Sequence, residues 1–347
     1  MAPIPFNPNY KRIATEEAFA PAELIQRYRK LYESKSVDDP GFDSLWGFYS
    51  SSMEPRPTFI REKLADLDSM RIADMDAAGI DHQIIELTSP GVQVFDRDTA
   101  VGLARECNDI LHDAIRKHPT RFSGMAAIAP QAPDEAAKEL DRCASYGFKG
   151  IIINSHTQGE YLSDKKFWPI FEAAEARGLP IYLHPNTLPK SMIGPMVNAG
   201  LDGAIFGFGV ETGFHLLWII TSGVFDRFPN LNIIVGHMGE ALPYWLYRLE
   251  YMHNAGVKAA RYEGMKPLKK KIGDYLKQNV YITNSGVAWE PAIKFAQQVI
   301  GVDRIMYAMD YPYQYSPQEV IDLDNMQMDL ATKKLFYQGV AEKLFKL

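Results

Sequence analysis

Carboxylate and imidazole side chains stand at the ends of several short apolar runs of the sequence. Four of them follow runs typical of buried strands: Glu16, His184, His237 and Asp310. If these strands are parallel neighbours, their carboxyl ends meet at one face of the fold and the four groups converge there. Carboxylates and imidazoles bind catalytic divalent metals, and three protein ligands leave positions open for water or substrate. Because few ligands are present, the pattern predicts a mononuclear metal site.

Each of these residues also has a purely structural interpretation. Asp310 is suited to cap a following helix, and His184 is suited to bond to the backbone of a loop. Glu240 lies three residues after His237. It either orients the His237 imidazole or interacts with the positive end of a helix dipole. Taken singly, each residue favours the structural interpretation. Recurrence at the ends of four different strands favours an active site.

Strand-like and helix-like runs alternate along the chain, which is typical of a parallel sheet with crossover helices. Eight strands are predicted, within Arg12–Thr15, Gln83–Leu87, Phe122–Ile128, Gly150–Ile153, Pro180–Pro185, Leu231–His237, Val280–Thr283 and Ile305–Met309. Eight successive βα units without a linker predict one (β/α)8 barrel domain over residues 1–347. A doubly wound sheet is the alternative fold.

Two connections are longer than ordinary loops after a strand, at about 21–57 after the first strand and 186–209 after the fifth. Long loops in compact domains are usually functional or act as lids. The first is expected to hold a helix from about Ala22 to Glu33. Apolar spacing then predicts a single helix from about Arg61 to Ala78.

Composition is that of an ordinary globular protein, with 46% hydrophobic and 23% charged residues among 347. The net charge of -6 argues against a nucleic-acid partner. No apolar run approaches ~18 residues without a charge, so no membrane span is expected. Two cysteines indicate no disulfide framework, and a reducing cytoplasm is the expected location. The stretch Met1–Phe6 lacks the basic and apolar regions of a secretory signal.

Several motifs resemble a known family. Around the predicted ligands the sequence reads Thr15-Glu16-Glu17-Ala18-Phe19, Leu183-His184-Pro185, Gly236-His237-Met238-Gly239-Glu240 and Met309-Asp310-Tyr311-Pro312. Together with other stretches over nearly the whole chain, these motifs resemble the metal-dependent decarboxylase branch of the amidohydrolase superfamily. Many members of that branch carry Glu-x-His on the first strand, whereas this chain has Ala18 at the second position.

The resemblance implies a metal site and a division of roles around it. The implied ligands are Glu16, His184 and Asp310, with His237 close by. The implied metal is Mn²⁺, with Zn²⁺ or Mg²⁺ used by some relatives. Asp310 is also the implied proton donor to a substrate ring, and His237 and Glu240 would orient it.

The implied reaction is the non-oxidative decarboxylation of a small aromatic carboxylate with an ortho hydroxyl group. 5-Carboxyvanillate, which would yield vanillate and CO₂, is the expected substrate. The alternatives are 2,3-dihydroxybenzoate, γ-resorcylate or a salicylate-type acid. One alternative function is a metal-dependent hydrolase of a lactone or amide. Another is a metal-stabilised barrel that acts as a binding protein and has no catalytic activity.

The expected substrate contacts comprise arginines for a carboxylate, aromatic walls for the ring and one histidine at the same face. They are Arg56, Arg248, Tyr313, Phe206, Phe208, Trp46 and His156. The resemblance also implies a homodimer or homotetramer, in which Arg56 would reach a neighbouring subunit's site.

Overall fold

The computed structural model describes residues 9–347, so the stretch Met1–Phe6, predicted to lack a signal, lies outside the described residues. Eight strands alternate with helices along the described chain. The strands are β1 (Ile13–Phe19), β2 (His82–Leu87), β3 (Phe122–Ala127), β4 (Gly150–Asn154), β5 (Ile181–His184), β6 (Ile233–Val235), β7 (Val280–Thr283) and β8 (Ile305–Met306). They form one sheet in sequence order, and each neighbouring pair is parallel.

Hydrogen bonds between β1 and the segment that begins after β8 close the sheet. The Thr15 amide donates to the Tyr307 carbonyl oxygen at 3.1 Å, and the Ala18 amide donates to the Tyr311 carbonyl oxygen at 2.7 Å. The predicted (β/α)8 barrel is therefore confirmed. A doubly wound sheet is excluded, because its outer strands would remain unpaired.

Helices surround the barrel and fill its connections. They are α1 (Ala22–Ser34), α2 (Pro40–Ser51), α3 (Pro55–Ala65), α4 (Ser69–Ala78), α5 (Arg97–Lys117), α6 (Pro133–Ser145), α7 (Trp168–Arg177), α8 (Lys190–Ala199), α9 (Gly207–Thr221), α10 (Val224–Arg227), α11 (His237–Glu240), α12 (Leu242–Lys258), α13 (Ile272–Asn279), α14 (Glu290–Ile300), α15 (Pro317–Asp324), α16 (Leu330–Lys334) and α17 (Val340–Phe345). Within the described residues, one helical stretch, Gly207–Arg227, is long and apolar enough by composition to cross a membrane. Half of it is buried against the rest of the protein, as is typical of a helix that packs on a core.

Among the strand boundaries that differ from the prediction, three concern the candidate site. β1 continues to Phe19, so Glu16 lies inside the strand instead of following it. β6 ends at Val235, two residues before His237, and β8 ends at Met306. The pairing of β1 with β2 shifts register between Ala14 and Glu17. Such an irregularity changes the direction in which side chains point, and Glu16 lies within it.

The single helix predicted from Arg61 to Ala78 is two helices, α3 and α4. The carboxylate of Asp66 accepts hydrogen bonds from the amides of Asp68 at 3.0 Å and Arg71 at 2.9 Å. A side chain that bonds to nearby amides offers the backbone an alternative to the helical pattern. The helix therefore ends at Ala65 and restarts at Ser69.

The buried side chain of Arg71 ties α4 to the barrel beneath the strand ends. It donates from Nη2 to the Ala18 carbonyl oxygen at 2.6 Å and from Nε to the Asp66 carbonyl oxygen at 2.9 Å. Its guanidinium lies 4.6 Å from the ring centroid of Tyr311. One residue thus fixes the end of β1 relative to the segment that carries Asp310.

A buried polar cluster ties α9 to the loop after β4. His215 accepts from the Leu162 amide at 3.0 Å through Nε2, so its Nδ1 donates to the Ser155 hydroxyl at 2.9 Å. Glu211, one helical turn earlier on α9, is fully buried. Burial raises the pKa of Glu211 to about 8, although Ser155, Tyr161 and Thr212 favour its ionised form.

The insertion after β1 is packed by aromatic residues. Trp46 is fully buried, and its ring centroid lies 4.3 Å from that of Tyr28. Its indole Nε1 donates to the Ser89 carbonyl oxygen at 2.9 Å, just beyond β2. The insertion is therefore fastened to the carboxyl end of the barrel.

Candidate active site

Glu16 lies at the centre of the converging side chains and is only 2% exposed. Its Oε2 accepts from the Thr283 hydroxyl at 3.0 Å, while its Oε1 has no hydrogen-bond donor. A Cβ at Gly236 would lie 2.7 Å from Glu16 Oε2, so the carboxylate rests directly on the backbone of that glycine. Burial, the largest effect, raises the pKa of Glu16.

His184, at the end of β5, presents an unprotonated nitrogen to Glu16. Its Nδ1 donates to the Pro185 carbonyl oxygen at 2.8 Å, which leaves the lone pair on Nε2. That Nε2 lies 3.4 Å from Glu16 Oε1. Burial and the neighbouring His237 lower the pKa of His184 to about 3, so the ring is neutral and suited to bind a metal.

His237 approaches the same oxygen from the other side. Its Nε2 lies 3.5 Å from Glu16 Oε1, and its Nδ1 donates to Glu240 at 2.7 Å. Burial alone would lower the pKa of His237, but the carboxylates of Glu240, Glu16 and Asp310 raise it to about 10. Glu240 therefore has the orienting position anticipated from its spacing.

The backbone that carries His237 is held in an unusual conformation. His237, Met238, Glu240 and Ala241 all have positive φ, between 51° and 59°. Each residue of this kind costs on the order of 1 kcal/mol, and such residues cluster at functional sites. The turn lies between β6 and α12 and places His237 beside Glu16.

Asp310 lies beside His237 at the same face. A Cβ at Gly286 would lie 3.3 Å from His237 Cδ2 and 3.4 Å from Asp310 Oδ2, so both groups flank that glycine. Asp310 itself has φ of 64°. Burial and the Glu16 carboxylate raise the pKa of Asp310 to about 8.

Glu17, the other acid of the strand-one pair, has a different environment. Its Oε1 accepts from the Met309 amide at 2.9 Å, and its Oε2 accepts from Gln83 Nε2 at 3.2 Å. Both oxygens are thus occupied by protein donors. Glu17 positions the residue before Asp310 and has no free oxygen for a ligand.

Glu86 is a carboxylate of the site that sequence reasoning missed. It lies on β2, is 1% exposed, and neither of its oxygens has a hydrogen-bond donor. Ligand atoms of Glu16, Glu86 and His184 lie within 4.8 Å of one another, and Asp310 is outside this cluster. Oxygen ligands of hard divalent cations lie roughly 2.1–2.6 Å from the ion, so opposite ligands are about 4.2–5.2 Å apart. The donor set therefore fits a divalent metal.

Two predicted substrate contacts lie near Asp310. Arg56 donates to the Tyr313 carbonyl oxygen at 2.9 Å, and its charge acts to lower the pKa of Asp310. The Tyr313 hydroxyl lies 2.7 Å from the Thr88 hydroxyl beyond β2. Arg56, which the resemblance places at a neighbouring subunit's site, thus lies beside the candidate site of its own chain.

Two other predicted contacts are occupied by structural partners. Trp46 is buried within the first insertion, as described above. His156 is 2% exposed; its Nε2 donates to the Thr187 carbonyl oxygen at 2.8 Å and its Nδ1 accepts from the Gly159 amide at 3.1 Å. Both side chains hold loops in place, and neither has a free polar atom for a substrate.

The remaining predicted contacts lie on or near α9 and α12. Phe206 precedes α9 and is 55% exposed, and Phe208 is half-buried at the start of that helix. Arg248 lines an outer groove of about 1140 Å³ between α9 and α12, together with Trp218 and Trp245. The structure does not bring Arg248 together with the Glu16 cluster.

A parallel barrel with carboxylates and imidazoles gathered at the strand ends defines a metal-dependent barrel enzyme. The amidohydrolase family model matches residues 56–347, and the chain belongs to that family. The prediction made from the motifs is therefore confirmed.

Individual relatives narrow the class to aromatic-acid decarboxylases. 5-Carboxyvanillate decarboxylase of Novosphingobium aromaticivorans, in a crystal structure with manganese and 4-hydroxy-3-methoxy-5-nitrobenzoic acid, is 61% identical, with a TM-score of 0.96, and the match covers 97% of this chain and 96% of that one. The 5-carboxyvanillate decarboxylase of Sphingomonas paucimobilis is 37% identical, with a TM-score of 0.91 and coverage of 97% and 99%. γ-Resorcylate decarboxylase of Polaromonas sp. is 36% identical over 348 residues, which are 97% of this chain and 98% of the relative. The chain is accordingly an aromatic-acid decarboxylase, a carboxy-lyase.

Replacing Gly236 by alanine tests the geometry of this site. The added Cβ would lie 2.7 Å from Glu16 Oε2, so the carboxylate must move from its present position beside the two imidazoles. We expect Mn²⁺ to bind at least about 10-fold more weakly, since ligand orientation alone is worth 10–100-fold in affinity. Titration of free Mn²⁺ by electron paramagnetic resonance measures the change.

The matched control is Gly194→Ala on α8, where an added Cβ meets no atom within 4 Å. That variant should bind Mn²⁺ as the wild type does. Equal affinity in the Gly236 and Gly194 variants would contradict the proposed contact.

Proposed function

We propose that the chain catalyses the non-oxidative decarboxylation of 5-carboxyvanillate to vanillate and CO₂, with Mn²⁺ as cofactor. The observation that carries this proposal is a buried cluster whose central carboxylate oxygen, Glu16 Oε1, faces two imidazole nitrogens and has no donor. Its support is the 61% identity to a 5-carboxyvanillate decarboxylase that binds manganese. The γ-resorcylate decarboxylases at 36% identity support γ-resorcylate as the second candidate substrate.

Glu16, His184 and Asp310 are the residues proposed to hold the metal. When bound, a divalent metal keeps an ortho phenol ionised at neutral pH and fixes the neighbouring carboxylate. His184 suits this role because its protonated nitrogen is fixed on Pro185 and its free nitrogen faces Glu16. Burial of Glu16 lowers the local dielectric constant, which strengthens the electrostatic interactions around it.

The difficult step is the loss of CO₂ from an aromatic ring, because the electrons left behind would form an aryl carbanion. Protonation of the ring carbon that bears the carboxylate avoids this species. The carbon–carbon bond then breaks, CO₂ leaves, and the bonding electrons restore the aromatic ring. An ortho phenolate assists, because it supplies electron density when the proton is added.

Asp310 is the proposed donor of that proton. Burial and the Glu16 carboxylate raise its pKa to about 8, which favours the protonated form of the carboxyl group. His237 lies beside it, fixed by the 2.7 Å bond to Glu240. After transfer to the ring, Asp310 recovers its proton from solvent and the product leaves.

The first experiment follows the ultraviolet absorbance of the Mn²⁺-loaded enzyme with 5-carboxyvanillate, γ-resorcylate and 2,3-dihydroxybenzoate. Conversion of the first to vanillate supports the proposal. Turnover of only γ-resorcylate or 2,3-dihydroxybenzoate would support the decarboxylation reaction but overturn 5-carboxyvanillate as the substrate. Absence of CO₂ from all three overturns the proposal and favours hydrolysis of a lactone or amide.

Asp310→Asn should lower kcat by at least about 100-fold, the lower end of what a general acid contributes. The amide has nearly the shape of the carboxyl group but no proton to give. Asp303→Asn is the control, since Asp303 is exposed on the turn before β8. Near-normal turnover by the Asp310 variant would show that Asp310 is not the proton donor.

Arg56 is the proposed contact for the second carboxylate of 5-carboxyvanillate. Its guanidinium carries five donors, of which one bonds to Tyr313 and another interacts with Tyr49, so further donors remain for a carboxylate. Arg56→Met should raise KM for 5-carboxyvanillate about 10-fold, because a hydrogen bond to a charged group contributes about 1.5–3 kcal/mol. KM for 2,3-dihydroxybenzoate, which has one carboxylate, should change little. An equal rise in both KM values would argue against a contact with the second carboxylate.

A homodimer or homotetramer is also proposed. Large aromatic residues are exposed along α12 and the facing side of α9, notably Tyr247 at 83%, Tyr244 at 72% and Tyr251 at 64%. Monomeric proteins rarely expose so extended an apolar surface. Arg248 lies in this groove, so a role in substrate binding requires that the groove face a neighbouring subunit's site.

Light scattering of the purified protein tests the assembly. We expect two or four times the chain mass of 39.2 kDa. Trp245→Glu, which places a charge in the groove, should shift the protein toward the monomer. A wild-type monomer would overturn the proposal.

A further inference from the structure

Glu86 is a buried acid that the proposed chemistry does not yet use. Its neighbour in the register between β1 and β2 is Ala18, which offers no ligand atom. A carboxylate on β2 therefore lies beside the position on β1 that carries only a methyl group. Its side chain reaches the same point as those of Glu16 and His184, with ligand atoms within 4.8 Å.

Glu86 has no compensating partner within the described protein. Both of its oxygens lack a hydrogen-bond donor, and the charged groups that act on it are the carboxylates of Glu16, Glu17 and Asp310. Glu17 differs sharply, because the Met309 amide and Gln83 satisfy its oxygens and Arg71 lies near it. A buried unpaired carboxylate is costly, so such a group either takes up a proton or pairs with a cation. A cation bound at this cluster would supply the partner that Glu86 lacks.

We propose that Glu86 is a ligand of the divalent metal, alongside Glu16 and His184. The inference rests on the proposed function for the presence of a metal and adds a residue to the set that holds it. Two carboxylates and one neutral imidazole balance the charge of a divalent cation. Glu16 and Glu86 come from the neighbouring strands β1 and β2, and His184 comes from β5, across the barrel from them.

Asp310 lies outside the cluster formed by Glu16, Glu86 and His184. With Glu86 included, three protein ligands come together at one point without Asp310.

Glu86→Gln tests the inference with a side chain of nearly the same shape. We expect Mn²⁺ affinity, measured by calorimetry and by electron paramagnetic resonance of free Mn²⁺, to fall at least about 10-fold. The melting temperature of the metal-free variant should equal or exceed that of the wild type, because the amide removes one of the acids that crowd together at this buried point. The rise in melting temperature on addition of Mn²⁺ should shrink. Glu86→Asp, whose carboxylate is one methylene shorter, should also bind the metal more weakly.

Glu211→Gln is the matched control, since Glu211 is equally buried but lies on α9, outside the group formed by Glu16, Glu86 and His184. It should bind Mn²⁺ with wild-type affinity. Wild-type affinity in Glu86→Gln, or an equal loss in both variants, would overturn the inference. A wild type that binds Mn²⁺ through Glu86 and decarboxylates none of the aromatic acids would overturn the proposed function alone.

Discussion

Buried negative charge at the carboxyl ends of the strands is the constraint on which the rest of this structure depends. Glu16 and Glu17 are consecutive on β1, and both are almost fully buried. Glu17 accepts hydrogen bonds from protein donors and lies near the positive charge of Arg71. Arg71 also links α4 to the end of β1. Glu16 keeps one oxygen free and turns it toward two imidazoles. Much of the local architecture serves to keep these two neighbours in such different environments.

Much of the fold and part of the site could be predicted from residue patterns. The alternation of apolar runs and amphipathic helices is local in sequence, so it indicated eight strands and their order. Glu16, His184, His237 and Asp310 interrupt or end apolar runs, and the barrel then brings such residues together because its strands are parallel. Glu240 was placed correctly beside His237 because three residues of separation suffice for contact within one turn.

Other features depend on contacts between distant parts of the chain and left little local signal. Glu86 lies within the run Gln83–Leu87 and looks like a surface acid of an alternating strand. Glu86 is unusual because it is fully buried in a closed barrel. The signal in the sequence was a carboxylate within a strand that the predicted barrel covers on both faces. His156 and Trp46 were predicted to contact substrate; their hydrogen-bond partners, Thr187 and Ser89, lie far away in sequence and left no local signal. Asp66 divides a helix that apolar spacing alone would continue.

The first insertion gives the binding face a fixed shape before any ligand arrives. Long excursions of this kind suggest lids, but here Trp46 anchors α2 on Tyr28 and Ser89, and Arg61 bonds to the Tyr49 and Ser52 carbonyl oxygens at 2.6 and 2.8 Å. Tyr49 in turn packs on Tyr313, with ring centroids 5.5 Å apart. A wall built this way loses little conformational entropy when substrate binds. The shape of this packed wall therefore determines which aromatic acids fit. A change of substrate during evolution would require the aromatic residues of the insertion to repack.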